Sequence, residues 1–189
     1  MLSQKVESII LIVEIKKEGG DNKMSEYLAE NGIVAVRVDD RMIHGQVATR
    51  WIPDSKATRA MVVNERASTN DMIRTTNKMA TPAGVSLSML APKKAAENFN
   101  NGNYVGQRVF VVGPSVADIY ELFQLGVKFK LVNLGNVTQN TGETFVLNKT
   151  VRVNLAEKEM LREMRDAGIE ITCQFQTTDA VIHCTSVLD

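Results

Sequence analysis

Ile33-Val34-Ala35-Val36-Arg37-Val38-Asp39, followed by Asp40-Arg41-Met42-Ile43-His44-Gly45-Gln46, is an alternating apolar stretch that runs into a polar turn and then a helical pattern. The alternation predicts a strand, and Ile43, Val47 and Trp51, spaced four apart, predict a helix over about 45–52 that Pro53 stops. The same spacing sets Gln46 and Arg50 on another face of that helix. Outward from this unit the pattern repeats. Strands are predicted over 59–64, 85–90, 108–112, 129–134 and 169–175, with shorter stretches near 144–147 and 151–153. Between them lie helices: one that Ser68 caps with Asp71 and Pro82 closes, one over about 92–99, one capped by Ser115 with Asp118 and ended by Gly126, and one opened by Asn154 with Glu157 and ended by Gly168. Residues 135–142 read as a polar loop. Strand and helix in alternation predict an α/β fold built on an open, mostly parallel sheet.

The chain has 189 residues, 44% hydrophobic and 23% charged, enough for one sizeable core and typical of a globular domain. Lys plus Arg and Asp plus Glu number 22 each, so the overall balance gives no sign of nucleic acid or an anionic membrane as partner. A functional positive charge must therefore be local. Cys173 and Cys184 lack CxxC or zinc-type spacing, which reads as a reduced pair in a cytoplasmic protein.

Residues 1–32 are expected to be a flexible extension and 33–189 the domain. The apolar run at 6–15 is shorter than a bilayer span and carries two glutamates, and a charged, glycine-containing stretch follows it at 16–23. Back-translated, Lys17-Glu18-Gly19-Gly20 resembles a purine-rich ribosome-binding site a few codons before Met24. Met24 is thus expected to be the natural start, with 1–23 arising from upstream initiation; N-terminal sequencing of the native protein checks this.

In an open α/β sheet, ligands sit beyond the carboxyl ends of the strands, so the turn after the first strand is where chemistry is expected. His44 stands in it. An unperturbed imidazole has a pKa of about 6.5 and is largely an uncharged nucleophile at neutral pH. Arg41 can offer two parallel N–H groups to phosphate oxygens, and the N–H groups at the helix start, from Gly45 to Val47, can bind an anion. Gly45 leaves the approach free of a Cβ, and Gln46 belongs to the same helical start. Arg37 shares a strand face with Asp39, so its guanidinium is also expected to reach the site and bind phosphate, although alternation does not say which face of the sheet that is. One of Asp39 and Asp40 is expected to orient the imidazole, while the other holds Arg41 or caps the turn.

Elsewhere the plainer readings prevail. Arg50 and Arg59 read as solvated charges, as does Arg37 on pattern alone. His183 beside Cys184 lacks further ligands at metal spacing and reads as a terminal surface position. Met72, Met79 and Met89 sit in apolar patterns and read as core. Neither a phosphate-binding P-loop nor a dinucleotide glycine fingerprint is present, which argues against an NTPase or an NAD enzyme.

The stretch Val36 to Trp51 resembles the active-site signature of the IIB component of the mannose/fructose/sorbose family of the bacterial sugar phosphotransferase system. The likeness continues through Met61-Val62-Val63-Asn64, Met79-Ala80-Thr81-Pro82-Ala83-Gly84-Val85, Gly126-Val127-Lys128, Val132-Asn133-Leu134-Gly135 and Gly168-Ile169-Glu170. Met42, Asn136 and Gly113-Pro114-Ser115 depart from the usual pattern, where leucine, glycine and an Asn-Pro or Ser-Pro turn are commoner. The resemblance implies seven strands with helices on both faces. It implies that His44 carries phosphate on Nδ1, received from a phosphohistidine of a IIA component. The phosphate passes to a sugar crossing the membrane through IIC and IID components. Arg41 is implied to contact the phosphate, and Arg37 has a family counterpart. No metal or cofactor is implied. Which sugar is carried stays open, as does oligomeric state, a homo-oligomer included. Two other classes stand beside this reading: a regulatory module whose His44 phosphorylation is read by another protein, and a small acid–base enzyme using His44 with Asp39 or Asp40.

Overall fold

The computed structural model describes residues 30–140, 143–184 and 188; the expectations for residues 1–29 and for 141–142 fall outside them. Strand β1 (Ile33–Asp39) occupies the middle of a sheet with β2 (Arg59–Val63), β3 (Ser86–Leu90), β4 (Val109–Gly113), β5 (Leu131–Asn136), β8 (Glu170–Cys173) and β9 (Ile182–His183). Its order is β3-β2-β4-β1-β5-β8-β9, parallel except for the antiparallel edge strand β9. Strands β6 (Phe145–Asn148) and β7 (Val151–Val153) pair as a separate antiparallel ribbon. The expected open, mostly parallel, seven-stranded sheet is present.

Strand alternation divides the core in two, because successive side chains leave opposite faces. Met61 and Val63 of β2 and Val109 and Val111 of β4 belong to one cluster, with Ala96, Phe99, Ile119, Leu122, Leu161 and Met164. Those side chains come from α4 (Pro92–Asn100), α5 (Val116–Gln124) and α6 (Leu155–Asp166). Ala60, Val62, Phe110 and Val112 belong to the other, with Ile43, Val47, Trp51 and Ile52. On that second face lie a π-helical turn (Val47–Trp51), α1 (Ile52–Asp54), α2 (Glu65–Thr69) and α3 (Asp71–Ala80). Val36 and Val38 of β1 face the first cluster, so Arg37 and Asp39 face the second.

Three local expectations are corrected. Pro53 does not stop the helix after β1: it sits in the first turn of α1, directly after the π-helical turn in which the Ile52 N–H donates to the Val47 carbonyl. The wider turn displaces the carbonyl that a proline ring strikes in an α-helix. Ser68 is no cap but a residue inside α2; Asn64 caps α2 and Asn70 caps α3, each accepting from a backbone N–H three residues on. Met72 and Met79 are 79% and 82% exposed, because α3 turns Ile73 and Asn77 inward instead; Met89 is core as expected. The capping boxes at Ser115 with Asp118 and at Asn154 with Glu157 form as predicted.

Candidate phosphoryl-transfer site

The connection after β1 stays on the second face, while the one after neighbouring β5 leads through the ribbon to α6 on the first. Adjacent strands whose onward chains leave to opposite faces open a crevice at their carboxyl ends. The turn 40–44 lies at that crevice. Asp40 bridges it: its carboxylate accepts from Asn136 Nδ2 at 2.5 Å and from the N–H and hydroxyl of Thr138 at 3.0 and 2.7 Å. Asp40 thus anchors the turn to the β5 loop and takes no part with the imidazole.

Asp39 is the centre of the cluster. Its buried carboxylate receives Arg37 Nη2 at 2.9 Å, Arg41 Nε at 3.2 Å and His44 Nε2 at 3.0 Å, and it also accepts the Arg41 backbone N–H. Burial works to raise this carboxyl, but the hydrogen bond from His44 and the charges of Arg37 and His44, with the Arg41 hydrogen bond, outweigh it, so it titrates below the usual carboxylate range. Asp39 is therefore ionised at neutral pH. An ionised carboxylate only accepts, so His44 Nε2 bears a proton, and in the neutral form of the ring the lone pair then lies on Nδ1. Nδ1 has no hydrogen-bond partner among the described residues.

Arg37 is fully buried and spends all five N–H groups within the protein: Nε and Nη2 on Asp39, Nη1 on Asn133 Oδ1 at 2.6 Å and the Gln174 carbonyl, and Nη2 also on the Phe175 carbonyl. Its Cζ lies 4.4 Å from the centre of the Trp51 ring, whose Nε1–H also donates to the Phe175 carbonyl. Burial lowers the guanidinium to about 10 although Asp39 pulls it up, which keeps it charged at neutral pH. Neither the solvated-charge reading nor phosphate contact fits this residue, since no donor is left over. Room for it is made by Gly135: the register between β1 and β5 shifts by one residue there, and a Cβ on Gly135 would stand 1.9 Å from Arg37 Cζ.

Arg41 differs. Its side chain is 41% exposed, rests 5.3 Å from the Phe175 ring centre, and leaves Nη1 without a partner among the described residues. His44 is 18% exposed at the side chain. Gly45 and Gln46 open the helical segment, whose first N–H groups lack intrahelical acceptors. A Cβ on Gly45 would meet nothing within 4 Å, so the space before it is open. Gln46 Oε1 is buried and has no hydrogen-bond partner among the described residues. Met42 adopts a left-handed backbone (φ 57°), a conformation costing about 1 to 3 kcal/mol outside glycine. Two bonds hold it there: its own N–H to the Asp39 carbonyl, and the Ile43 N–H to Asn77 Oδ1 at 3.0 Å.

Asn77, Asn133, Gln174 and Phe175 support the site without having been singled out from the sequence. For the asparagines a signal existed, namely a polar residue on the apolar side of a helix or inside an apolar strand. Gln174 acts through its backbone carbonyl, and Phe175 through its carbonyl and its ring against Arg41; neither leaves a signal in the sequence. Arg59 lies at the amino end of β2, bonded to Gln107 and Ser88, and Arg50 is exposed. His183 is exposed and paired with Glu170 at 2.8 Å, whereas Cys184, read with it as surface, is buried.

The family model for the PTS sorbose-subfamily IIB component matches residues 33–189. The chain belongs to that family. It is 33% identical over 143 residues to the mannose-specific EIIAB component of Escherichia coli K12, covering 76% of this chain and 44% of that protein. It thus spans less than half the length of that relative. With the sorbose-specific EIIB component of Lacticaseibacillus casei it shares 29% identity over 147 residues, 78% of this chain and 89% of the other. The IIB fold recurs in the crystal structure of the IIBSor domain of the Klebsiella pneumoniae sorbose permease, at a TM-score of 0.76 and 25% identity, covering 82% of this chain and 94% of that one. Among the described residues no helix is long and apolar enough to cross a membrane.

Proposed function

We propose that this IIB component is the phosphoryl carrier of a sugar phosphotransferase system: His44 Nδ1 accepts phosphate from a phosphohistidine of a IIA partner. It then passes the phosphate to a sugar during uptake through IIC and IID membrane components, the chain itself being cytoplasmic and held at the membrane by those partners. The observation that carries this reading is the bond from His44 Nε2 to Asp39, which points the lone pair of Nδ1 away from the carboxylate. In the first step the P–N bond of the donor breaks and a P–Nδ1 bond forms. The Nε2 proton stays in place, and Asp39 stabilises the positive charge that develops on the ring. Positioning and charge compensation are what such a transfer needs. The incoming group adds about 1.5 to 2 negative charges, judged from other phosphorylated side chains. Arg41 Nη1 and the N–H groups at Gly45 and Gln46 compensate them. Gln46 Oε1 is buried and accepts only, so Gln46 serves the phosphate through its backbone N–H rather than its side-chain oxygen. Asp39, Arg37 and Asp40 position; they do not bind phosphate.

The test is transfer of label from phosphoenolpyruvate in the presence of the general phosphotransferase proteins and a IIA component. An acid-labile phosphoprotein that discharges to sugar with the membrane components supports the carrier reading. Labelling without sugar transfer would favour a regulatory module, and turnover of a small molecule without a phosphoprotein would favour an acid–base enzyme. Arg41→Ala is expected to fold normally, since its guanidinium is exposed and Asp39 retains Arg37. Its transfer should be slower by about 10- to 100-fold, the equivalent of about 1.4 to 2.7 kcal/mol of barrier. Wild-type transfer rates in that protein would remove Arg41 from the reaction.

A further inference from the structure

Eleven positions apart in the chain, Cys173 at the end of β8 and Cys184 just after β9 bring their sulfurs to 2.7 Å, both buried and both free thiols. Nothing in the phosphoryl-transfer chemistry uses them. We propose that Cys173 and Cys184 are a reversible disulfide-forming pair, oxidised by a peroxide, whose bond closes the 174–183 loop over Arg37 and Trp51.

Three observations point the same way. The sulfurs already touch, so bond formation needs no movement of the strands beyond a fraction of an ångström. The hydrogen bond from Cys173 pulls Cys184 down against the effect of burial, and the same contact with burial pushes Cys173 up, so Cys184 is the more readily ionised of the two. Finally, β9 is a two-residue edge strand whose Ile182 and His183 are exposed, so a local opening of that strand admits a small oxidant.

The chemistry balances with one peroxide. The Cys184 sulfur attacks a peroxide oxygen, the O–O bond breaks, and the departing hydroxide leaves as water, giving a sulfenic acid. The Cys173 sulfur displaces the sulfenic oxygen, which takes the remaining proton and leaves as a second water. Two electrons pass from the thiol pair to the peroxide. The loop so closed begins with the two residues whose carbonyls receive Arg37 and Trp51, and is otherwise tied by Gln174 and Asp179 contacts. A covalent closure therefore restrains the segment that seals the buried guanidinium. This inference is independent of the carrier reading, because its readouts require no phosphate.

The full-length protein, fully reduced, is treated with hydrogen peroxide and compared by intact mass, thiol titration after denaturation, and amide exchange. The expected result is a monomer lighter by two hydrogens, about 2 Da, with no titratable thiol and restored by dithiothreitol. Amides 174–183 should exchange at least about tenfold more slowly in the oxidised form. Cys184→Ala and Cys173→Ala should each abolish the mass loss, and amide exchange of the untreated variants reports that they are folded. Two thiols surviving treatment, a product carrying added oxygen, or a linked dimer would overturn the pairing. Unchanged exchange in a correctly bridged protein would overturn the clamp.

Discussion

His44→Ala is expected to incorporate no phosphate above background, a loss of at least about a thousandfold, or about 4 kcal/mol of barrier. The proposed acceptor nitrogen is gone, and the second histidine, His183, lies on β9 paired with Glu170. The fold should survive. The His44 side chain gives up one hydrogen bond to a charged group, worth about 1.5 to 3 kcal/mol at most, and Asp39 keeps both of its guanidinium partners. Labelling and circular dichroism on the same preparation separate the two effects. Undiminished labelling in a folded His44→Ala protein would take His44 out of the mechanism and the carrier reading with it.

Arg37→Ala is expected to cost about 3 to 5 kcal/mol of stability, the range for breaking a buried ion pair by removing one partner. Asp39 would remain buried with its principal internal partner gone, while Asn133 and the Gln174 and Phe175 carbonyls would lose their donor. The pH dependence has a definite sign. Asp39 titrates below its ordinary value of 3.8 in the folded protein, so its contribution is whole above that value and is lost as pH falls through the lower folded value. The stability gap between Arg37→Ala and the parent should therefore narrow as the medium is acidified below about pH 4. Gly135→Ala should act in the same direction by the opposite route, since its Cβ must displace the guanidinium or the strand; overpacking of this kind costs about 1 to 3 kcal/mol or more. Gly45→Ala is the control, with nothing within 4 Å of the added carbon. Denaturant midpoints at neutral and acid pH measure all three. An Arg37→Ala protein as stable as its parent would refute the scaffolding role.

Arg37 owes its strand face to local spacing and its burial to distant parts of the chain. Its two-residue spacing from Asp39 gives a shared strand face, but not that the face lies under Trp51, nor that four acceptor atoms on β1, β5 and the segment after β8 take all five of its N–H groups. A charged residue in a strand is usually solvated, and only the closing of a loop more than a hundred residues later makes it interior. Asp39 and Asp40 were equally ambiguous for a related reason. Adjacent strand residues point to opposite sides, and which one meets the imidazole depends on how the turn folds back, with Met42 left-handed and Ile43 pinned by Asn77. Pro53 does not end the segment because its spacing signals a stop only in an α-helical register, which the π-helical turn abandons.

The order of strands and helices, the capping boxes, the histidine turn and its neighbour Arg41 were fixed by local rules: side-chain periodicity, turn chemistry and the orphan groups at helix ends act over a few residues. What only the tertiary structure decided was the division of labour in the site. Asp39 became the common acceptor, Asp40 the brace to β5, Arg37 a buried strut, and Cys173 and Cys184 neighbours in contact. Each of those assignments depends on burial and on partners distant in the chain, and desolvation, which turns a solvent-facing charge into a structural one, exists only once the strands have come together.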